Sequence, residues 1–198
     1  MNIGICGGTF DPFHRGHLDP VLAVREAMGW ERVMYVPAWK QPFKLEQGSA
    51  SGYHRFAMTA MSIRNHASLY ITPIELEREA VSYAVDTLEE LHQRHPDARF
   101  DWIIGDDNLA DLPKWKSFER LFELTRFVVL TRVGPPATTS LRKWIDEGSI
   151  VFARNATVPV SSTRIRELLR AGLPIEGLVD PLVSRYIHQY GLYKEGPL

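Results

Sequence analysis

Residues Gly7-Gly8-Thr9-Phe10-Asp11-Pro12-Phe13-His14-Arg15-Gly16-His17 restrict this chain more than any other stretch. They follow a short apolar run, Ile3-Gly4-Ile5-Cys6, that reads as a buried strand. They precede an amphipathic helix with apolar positions at Leu18, Val21, Leu22 and Met28. Proline fits the first turn of a helix, where its missing N–H had no partner, so Pro20 predicts a helix start near Gly16 or His17. The unpaired amides of that start, with the positive end of the helix dipole, make an anion site. Gly7 and Gly8 are expected to let the backbone turn tightly, and Gly16 to leave room for a ligand. His14 and His17 are spaced to face one anion together, and imidazoles donate hydrogen bonds to phosphate oxygens near neutral pH. A glycine-rich turn is often only a turn. Two imidazoles at the helix start answer no structural need and turn the reading toward function.

Further strand candidates recur between helix candidates. The strands are 2–6, 33–37, 69–74, 100–104, 126–131 and 150–153, several of them continuous apolar runs of the kind covered on both faces. The helices are 17–28, 53–65, 84–94, 117–123, 139–147, 162–171 and 181–190. This alternation predicts an α/β fold with a doubly wound parallel sheet, whose ligands sit beyond the carboxyl ends of the strands at the switch point. A length of 198 residues suits a single domain over 1–198, with a helical C-terminal portion from about 162. Formal net charge is −1, so no nucleic acid is expected as a bulk partner and any anion site is built locally. A single cysteine, Cys6, excludes an internal disulfide and reads as a small core residue. No apolar stretch is long enough to span a membrane and the N-terminus lacks a signal-peptide pattern, which together imply a cytoplasmic protein with no membrane partner.

The later segments carry chemistry of their own. Lys40 and Lys44 flank Pro42 on the loop after the second strand, where they either reach a polyphosphate or stay solvated. His54-Arg55 opens the next helix, whose apolar spacing is Phe56, Met61 and Ile63, and reads as surface charge. Ser82 is a candidate cap for the helix that follows, and Asp86 suits its first turn. The fourth strand ends in Gly105-Asp106-Asp107-Asn108, where an acid either holds ribose hydroxyls or caps the next turn. Trp115 lies between lysines, either as a stacking face for a planar ring or as a partly buried surface residue. Ser161-Ser162-Thr163-Arg164-Ile165-Arg166 opens another helix with hydroxyls suited to an N-cap. Two arginines there oppose the dipole at a cost of roughly 0.3–1 kcal/mol each, which a bound anion would reverse. Arg166→Ala is therefore expected to leave the unliganded protein as stable as before, or slightly more so.

Gly8-Thr9-Phe10-Asp11-Pro12-Phe13-His14-Arg15-Gly16-His17 resembles the G-T-F-D-P-x-H-x-G-H signature of the nucleotidyltransferase superfamily, and more narrowly that of bacterial nicotinate-mononucleotide adenylyltransferases. Pro42 and Lys44 match part of that family's P-P-H-K, while Gln41 and Phe43 depart from it. Glu75 to Leu88 is similar to E-L-x-R…S-Y-T-x-D-T-L with Ala84 in place of the threonine. His54-Arg55 resembles a family pair, and Ile103 to Leu109, Trp115 and Val160 to Arg166 match further motifs, so the resemblance runs from Asn2 to about Tyr193. It implies a Rossmann-like nucleotidyltransferase fold and direct in-line adenylyl transfer from ATP to nicotinate mononucleotide, with Mg²⁺ accompanying ATP and no dedicated metal cluster. By position, it implies catalytic roles for His14, His17, Lys44 and Arg166. It implies ATP contacts for Gly8, Thr9, Phe10, Gly16, Gly105, Asp107, Ser161, Ser162 and Thr163. Ser82, Tyr83, Ala84 and Trp115 would then meet the mononucleotide. The alternatives are preference for nicotinamide mononucleotide, a phosphopantetheine adenylyltransferase, and a nucleotide-binding sensor without catalysis.

Overall fold

The apolar runs form one sheet. A computed structural model describes residues 1–42, 50–131, 139–155 and 158–194. In chain order the elements are β1 (Asn2–Gly8), α1 (Arg15–Arg25), β2 (Arg32–Pro37), α2 (Gly52–Ile63), β3 (Leu69–Ile71), α3 (Ile74–Arg78) and α4 (Ala84–Arg94). Then come β4 (Arg99–Gly105), α5 (Phe118–Leu124), β5 (Arg126–Thr131), α6 (Arg142–Asp146), β6 (Ile150–Arg154), α7 (Ser162–Arg170) and α8 (Pro181–Gln189). Six strands pair in the order β3-β2-β1-β4-β5-β6, and every pairing is parallel. Strand order reverses between β1 and β4, so their carboxyl ends open a crevice at the switch point, as expected for a doubly wound sheet.

Both faces of the sheet are covered. On one, Ile3, Ile5, Phe100, Trp102 and Phe127 pack against Leu88 and Leu91 of α4 and Leu121 of α5. On the other, Val33, Tyr35, Ile103 and Val128 pack against Val21 and Val24 of α1, Trp30 and Ile63. A third apolar cluster joins Met58 of α2, Ile165 of α7, and Val183 and Ile187 of α8. Among the described residues no helix is long and apolar enough to cross a membrane.

The structure corrects several local expectations. Gly7 and Gly8 are the last residues of β1 and do not turn. A Cβ on Gly7 would stand 2.8 Å from the Trp102 ring, and one on Gly8 would stand 2.8 Å from the Phe10 ring, so both provide space. The left-handed residue of the loop is Phe10, at φ 54. α1 starts at Arg15 with His14 as N-cap, one or two residues earlier than expected. Pro20 therefore lies inside the helix and removes the bond that the Gly16 carbonyl would otherwise accept. β3 stops at Ile71, because the five-residue α3 begins at Ile74; so short a helix shows no periodicity in sequence. The expected helix at 139–147 is a 3₁₀ turn, Thr139–Leu141, followed by α6.

The buried face of α2 also differs from its apolar spacing. Arg55, Met58, Thr59, Ser62 and Ile63 are buried, while Phe56 and Met61 are only half-buried. The buried hydroxyls are satisfied within the helix: Thr59 Oγ1 donates to the Arg55 carbonyl at 2.9 Å and Ser62 Oγ to the Met58 carbonyl at 2.9 Å.

At the end of the sheet away from the crevice, Asp101 of β4 is buried and accepts two bonds from Arg126, at 2.9 and 2.6 Å. It also accepts the Trp30 Nε1–H at 2.7 Å. Trp30→Phe keeps the ring volume but deletes that donor. Unfolding free energy should fall by about 1–3 kcal/mol, read from urea midpoints, with activity per folded molecule unchanged.

Candidate active site

A cleft of about 940 Å³ lies over the carboxyl ends of β1 and β4. Every expected site residue among the described residues lines it, from Gly8, Thr9, Phe10, His14, Gly16 and His17 on the first loop to Ser161, Ser162, Thr163 and Arg166 at the start of α7. Ser82, Tyr83 and Ala84, together with Gly105, Asp107 and Trp115, line it from the β4 side. Lys44 lies outside the described residues.

His14 and His17 stand side by side. Their rings stack with centroids 3.7 Å apart at an interplanar angle of 23°. The His14 backbone N–H donates to His17 Nδ1 at 3.3 Å. With Nδ1 accepting, the proton of a neutral His17 belongs on Nε2. Phe10 and Phe13 back the His17 ring at centroid distances of 5.0 and 5.3 Å, and Tyr35 Oη donates to the His17 carbonyl at 3.1 Å. His14 itself is only 6% exposed. Burial pulls its pKa down to about 4, so the imidazole is uncharged at neutral pH in the unliganded protein. Its Nδ1 is buried without a hydrogen-bond partner. Gly16 leaves room for the protein itself: a Cβ there would lie 2.9 Å from His14 Cε1 and 3.1 Å from Val160 Cγ1.

The start of α7 docks onto the same loop. Ser161 caps it, its Oγ accepting the Arg164 N–H at 3.2 Å. Ser162 Oγ donates to the Pro12 carbonyl at 3.0 Å, and Arg166 Nη1 donates to the Asp11 carbonyl at 2.7 Å. Arg166 Nη2 reaches Thr163 Oγ1 at 3.4 Å. Arg166 lies beyond the first turn of α7, where the dipole penalty has faded, and it makes a structural bond. The expected stability gain on its removal is therefore withdrawn. Tyr193 Oη donates to Asp11 Oδ1 at 2.7 Å, bringing the end of the chain to the first loop.

Ser82 does not cap α4. Its Oγ accepts the Trp39 N–H at 3.0 Å and its own N–H donates to the Lys40 carbonyl at 2.8 Å, tying this turn to the loop after β2. The N-cap is Tyr83, which makes no side-chain cap bond, so the first amides of α4 face the cleft without one. Beneath them Glu75, 4% exposed, accepts Thr87 Oγ1 at 2.6 Å. Burial raises its pKa against the lowering effect of Thr87, Ser82, Arg78 and Arg55. Lys116 pairs with Asp86 at 2.8 Å and sits 4.7 Å over the Tyr83 ring.

Asp107 is exposed and caps nothing; it lies inside the 3₁₀ turn Asp106–Asn108 and accepts Asn108 Nδ2 at 2.8 Å. Gly105 allows this, since a Cβ would stand 2.5 Å from Asp107 Oδ1. Trp115 is half-buried, edge-on to Trp102 and Phe127 at 6.4 and 6.1 Å. Among the described residues no group of three or more His, Cys, Asp or Glu gathers as a metal cage.

Sequence reasoning missed Arg55, which is buried with several carbonyl partners. It also gave no role to Glu75 or Tyr193. The polar character of the inner face of α2 was a signal for Arg55, but an arginine beside a histidine at a helix start is usually solvated.

Residues 5–168 match the cytidylyltransferase-like family, and the chain belongs to it. Probable nicotinate-nucleotide adenylyltransferases from Syntrophotalea carbinolica and Halalkalibacterium halodurans are 37% and 39% identical to it, over 98% and 97% of this chain and 98% and 91% of theirs. Within the family, the chain is thus a member of the nicotinate-nucleotide adenylyltransferases. The Plasmodium falciparum nicotinic acid mononucleotide adenylyltransferase complexed with NaAD shares the fold, with a TM-score of 0.77, 21% identity and 97% coverage of both chains.

The depressed pKa of His14 makes stability depend on pH. In the unfolded chain an imidazole titrates near 6.5, so it takes up a proton before the folded form does at about 4. This contribution is fully present above pH 6.5 and is lost as pH falls toward about 4. The gap corresponds to about 3 kcal/mol. Denaturant unfolding from pH 7 to 4 should show a stability loss that is smaller by about that amount in His14→Asn.

Proposed function

We propose that this protein transfers the adenylyl group of ATP to nicotinate mononucleotide, forming deamido-NAD and releasing pyrophosphate in the cytoplasm. The observation that carries the reading is the convergence of the starts of α1 and α7 on one loop, opposite the uncapped start of α4. A phosphate oxygen of the mononucleotide attacks the α-phosphorus of ATP in line. The bond to the β-phosphate oxygen breaks as the new one forms, and pyrophosphate carries away the charge. No covalent intermediate is needed, so positioning and charge stabilisation supply the rate.

His14, His17, Lys44 and Arg166 hold the triphosphate. A bound polyphosphate supplies the anionic field that His14 lacks, raising its pKa and giving its buried nitrogen a partner. At an effective dielectric of about 20, one cation ~4 Å from a unit charge contributes roughly 4 kcal/mol before desolvation costs. Gly8, Thr9, Phe10, Gly16 and Ser161 to Thr163 shape the phosphate channel, and Gly105 and Asp107 meet the nucleoside. Mg²⁺ would accompany ATP and neutralise part of the triphosphate charge, with its ligands expected mainly from the phosphates. The chain 1–198 works as one domain.

The pyridine ring stacks near Trp115, and its carboxylate meets the turn at Ser82, Tyr83 and Ala84 through the amides of Tyr83 and Ala84, since the Ser82 N–H is already bonded to the Lys40 carbonyl. Stacking grips acid and amide forms alike. The donors at the start of α4 discriminate by charge-assisted bonds, each worth roughly 1.5–3 kcal/mol, or about 10- to 150-fold. Ala84 supplies no hydroxyl, so discrimination rests on the backbone amides.

Pyrophosphate release from ATP with a panel of mononucleotides tests this. Nicotinate mononucleotide should exceed nicotinamide mononucleotide by at least about tenfold in kcat/KM. Equal use overturns the preference, and no release with any mononucleotide overturns adenylyl transfer. In the same assay His17→Ala should lower kcat by on the order of 10²–10³.

A further inference from the structure

The proposed chemistry leaves one buried cation without a task. Arg55 is 3% exposed. Its Nη1 donates to the Thr9 carbonyl at 2.5 Å, and its Nη2 to the Ala38 and Trp39 carbonyls at 2.6 and 3.3 Å. Its Nε donates to the Ala50 carbonyl at 3.3 Å. Thr9 follows β1, whereas Ala38 and Trp39 follow β2. One planar guanidinium therefore bridges the loops that leave two adjacent strands.

The bridge stands where the sheet can no longer do this work. The β1–β2 register ends at Gly8 and Pro37, and the Ala38 N–H makes a last bond to the Gly8 carbonyl at 2.9 Å. Beyond the end of that register Arg55 bonds to the main chain of both loops. A second link joins the same loops through side chains, where Thr9 Oγ1 donates to Gln41 Oε1 at 2.9 Å. Gly52 lets the start of α2 approach Leu76, since a Cβ there would stand 2.7 Å from that side chain. Burial lowers the pKa of Arg55, and the carboxylates of Asp11 and Glu75 act against that shift. Five donors in a rigid fork can serve carbonyls from separate segments at once, which a lysine ammonium on a flexible stem cannot reproduce.

We propose that Arg55 is a positioning residue for adenylyl transfer, fixing the span between the Thr9–His14 loop and the loop at 38–41 so that both meet the triphosphate in register. This rests on the reading that the cleft transfers an adenylyl group. Small errors in such a span are costly, since a displacement of about 1 Å can lower a rate on the order of 100-fold.

Arg55→Lys, which keeps the charge and loses the fork, is compared with the native protein below both melting temperatures. Its kcat should fall by about tenfold or more, with a smaller change in the KM for ATP. Amide exchange should quicken together in 9–14 and 38–41 while β1 and β4 keep native protection. A kcat within twofold of native, or loosening of one loop alone, overturns the proposal. If the variant does not fold, the native protein decides: both loops should exchange with a common opening free energy, and clearly different values refute the bridge. Exchange needs no turnover, so a native protein that released no pyrophosphate would sink the adenylyl-transfer reading without hiding the result for Arg55.

Discussion

Buried main-chain carbonyls in the loop after β1 need donors, and the site is assembled from the side chains that supply them. A carbonyl shut away from water costs free energy comparable to a lost hydrogen bond unless it is paired. Arg55 serves Thr9, Arg166 serves Asp11, and Ser162 serves Pro12. Tyr193 serves the Asp11 carboxylate. These donors come from α2, from α7 and from beyond α8, so satisfying one short loop draws the end of the chain back to its beginning. The same bonds set α7 against α1, and with it the second helix start that faces the cleft.

That arrangement also explains how a chain of net charge −1 builds a site for polyanions. Arg55 and Arg166 bond to neutral carbonyls, so direct partners do not cancel their charge. The helix starts add partial positive charge through oriented amides. His14 is held uncharged by burial. The buried side chains of Asp11 and Glu75 act on Arg55 against the lowering of its pKa by burial.

The β4 side of the cleft follows the same logic with different parts. Ser82 is spent on the Trp39 amide and the Lys40 carbonyl, which ties the start of α4 to the loop after β2. Because that hydroxyl is used there, α4 begins without a side-chain cap and presents its amides to the cleft. Glu75 and Thr87 brace the turn from below. The placement of these backbone donors depends on how α3 and α4 pack.

Local pattern in the sequence was enough for the parallel sheet and its switch point, and the resemblance to the family's motifs supplied most of the cleft residues. Continuous apolar strands and glycine-rich turns are short-range signals, and all six strand positions were legible within a few residues. Elements of a turn or so, such as α3, escaped because they are too short to show a period. What only the tertiary structure decided is which polar groups lose water. Arg55 read as surface charge, Ser82 as a cap and Arg166 as a cation resting against a dipole. Each acquired its role from a partner distant in sequence, as Arg166 did from Asp11 and Ser82 from Trp39. Burial is a property of the packed molecule, and a side chain's own sequence neighbourhood does not contain it.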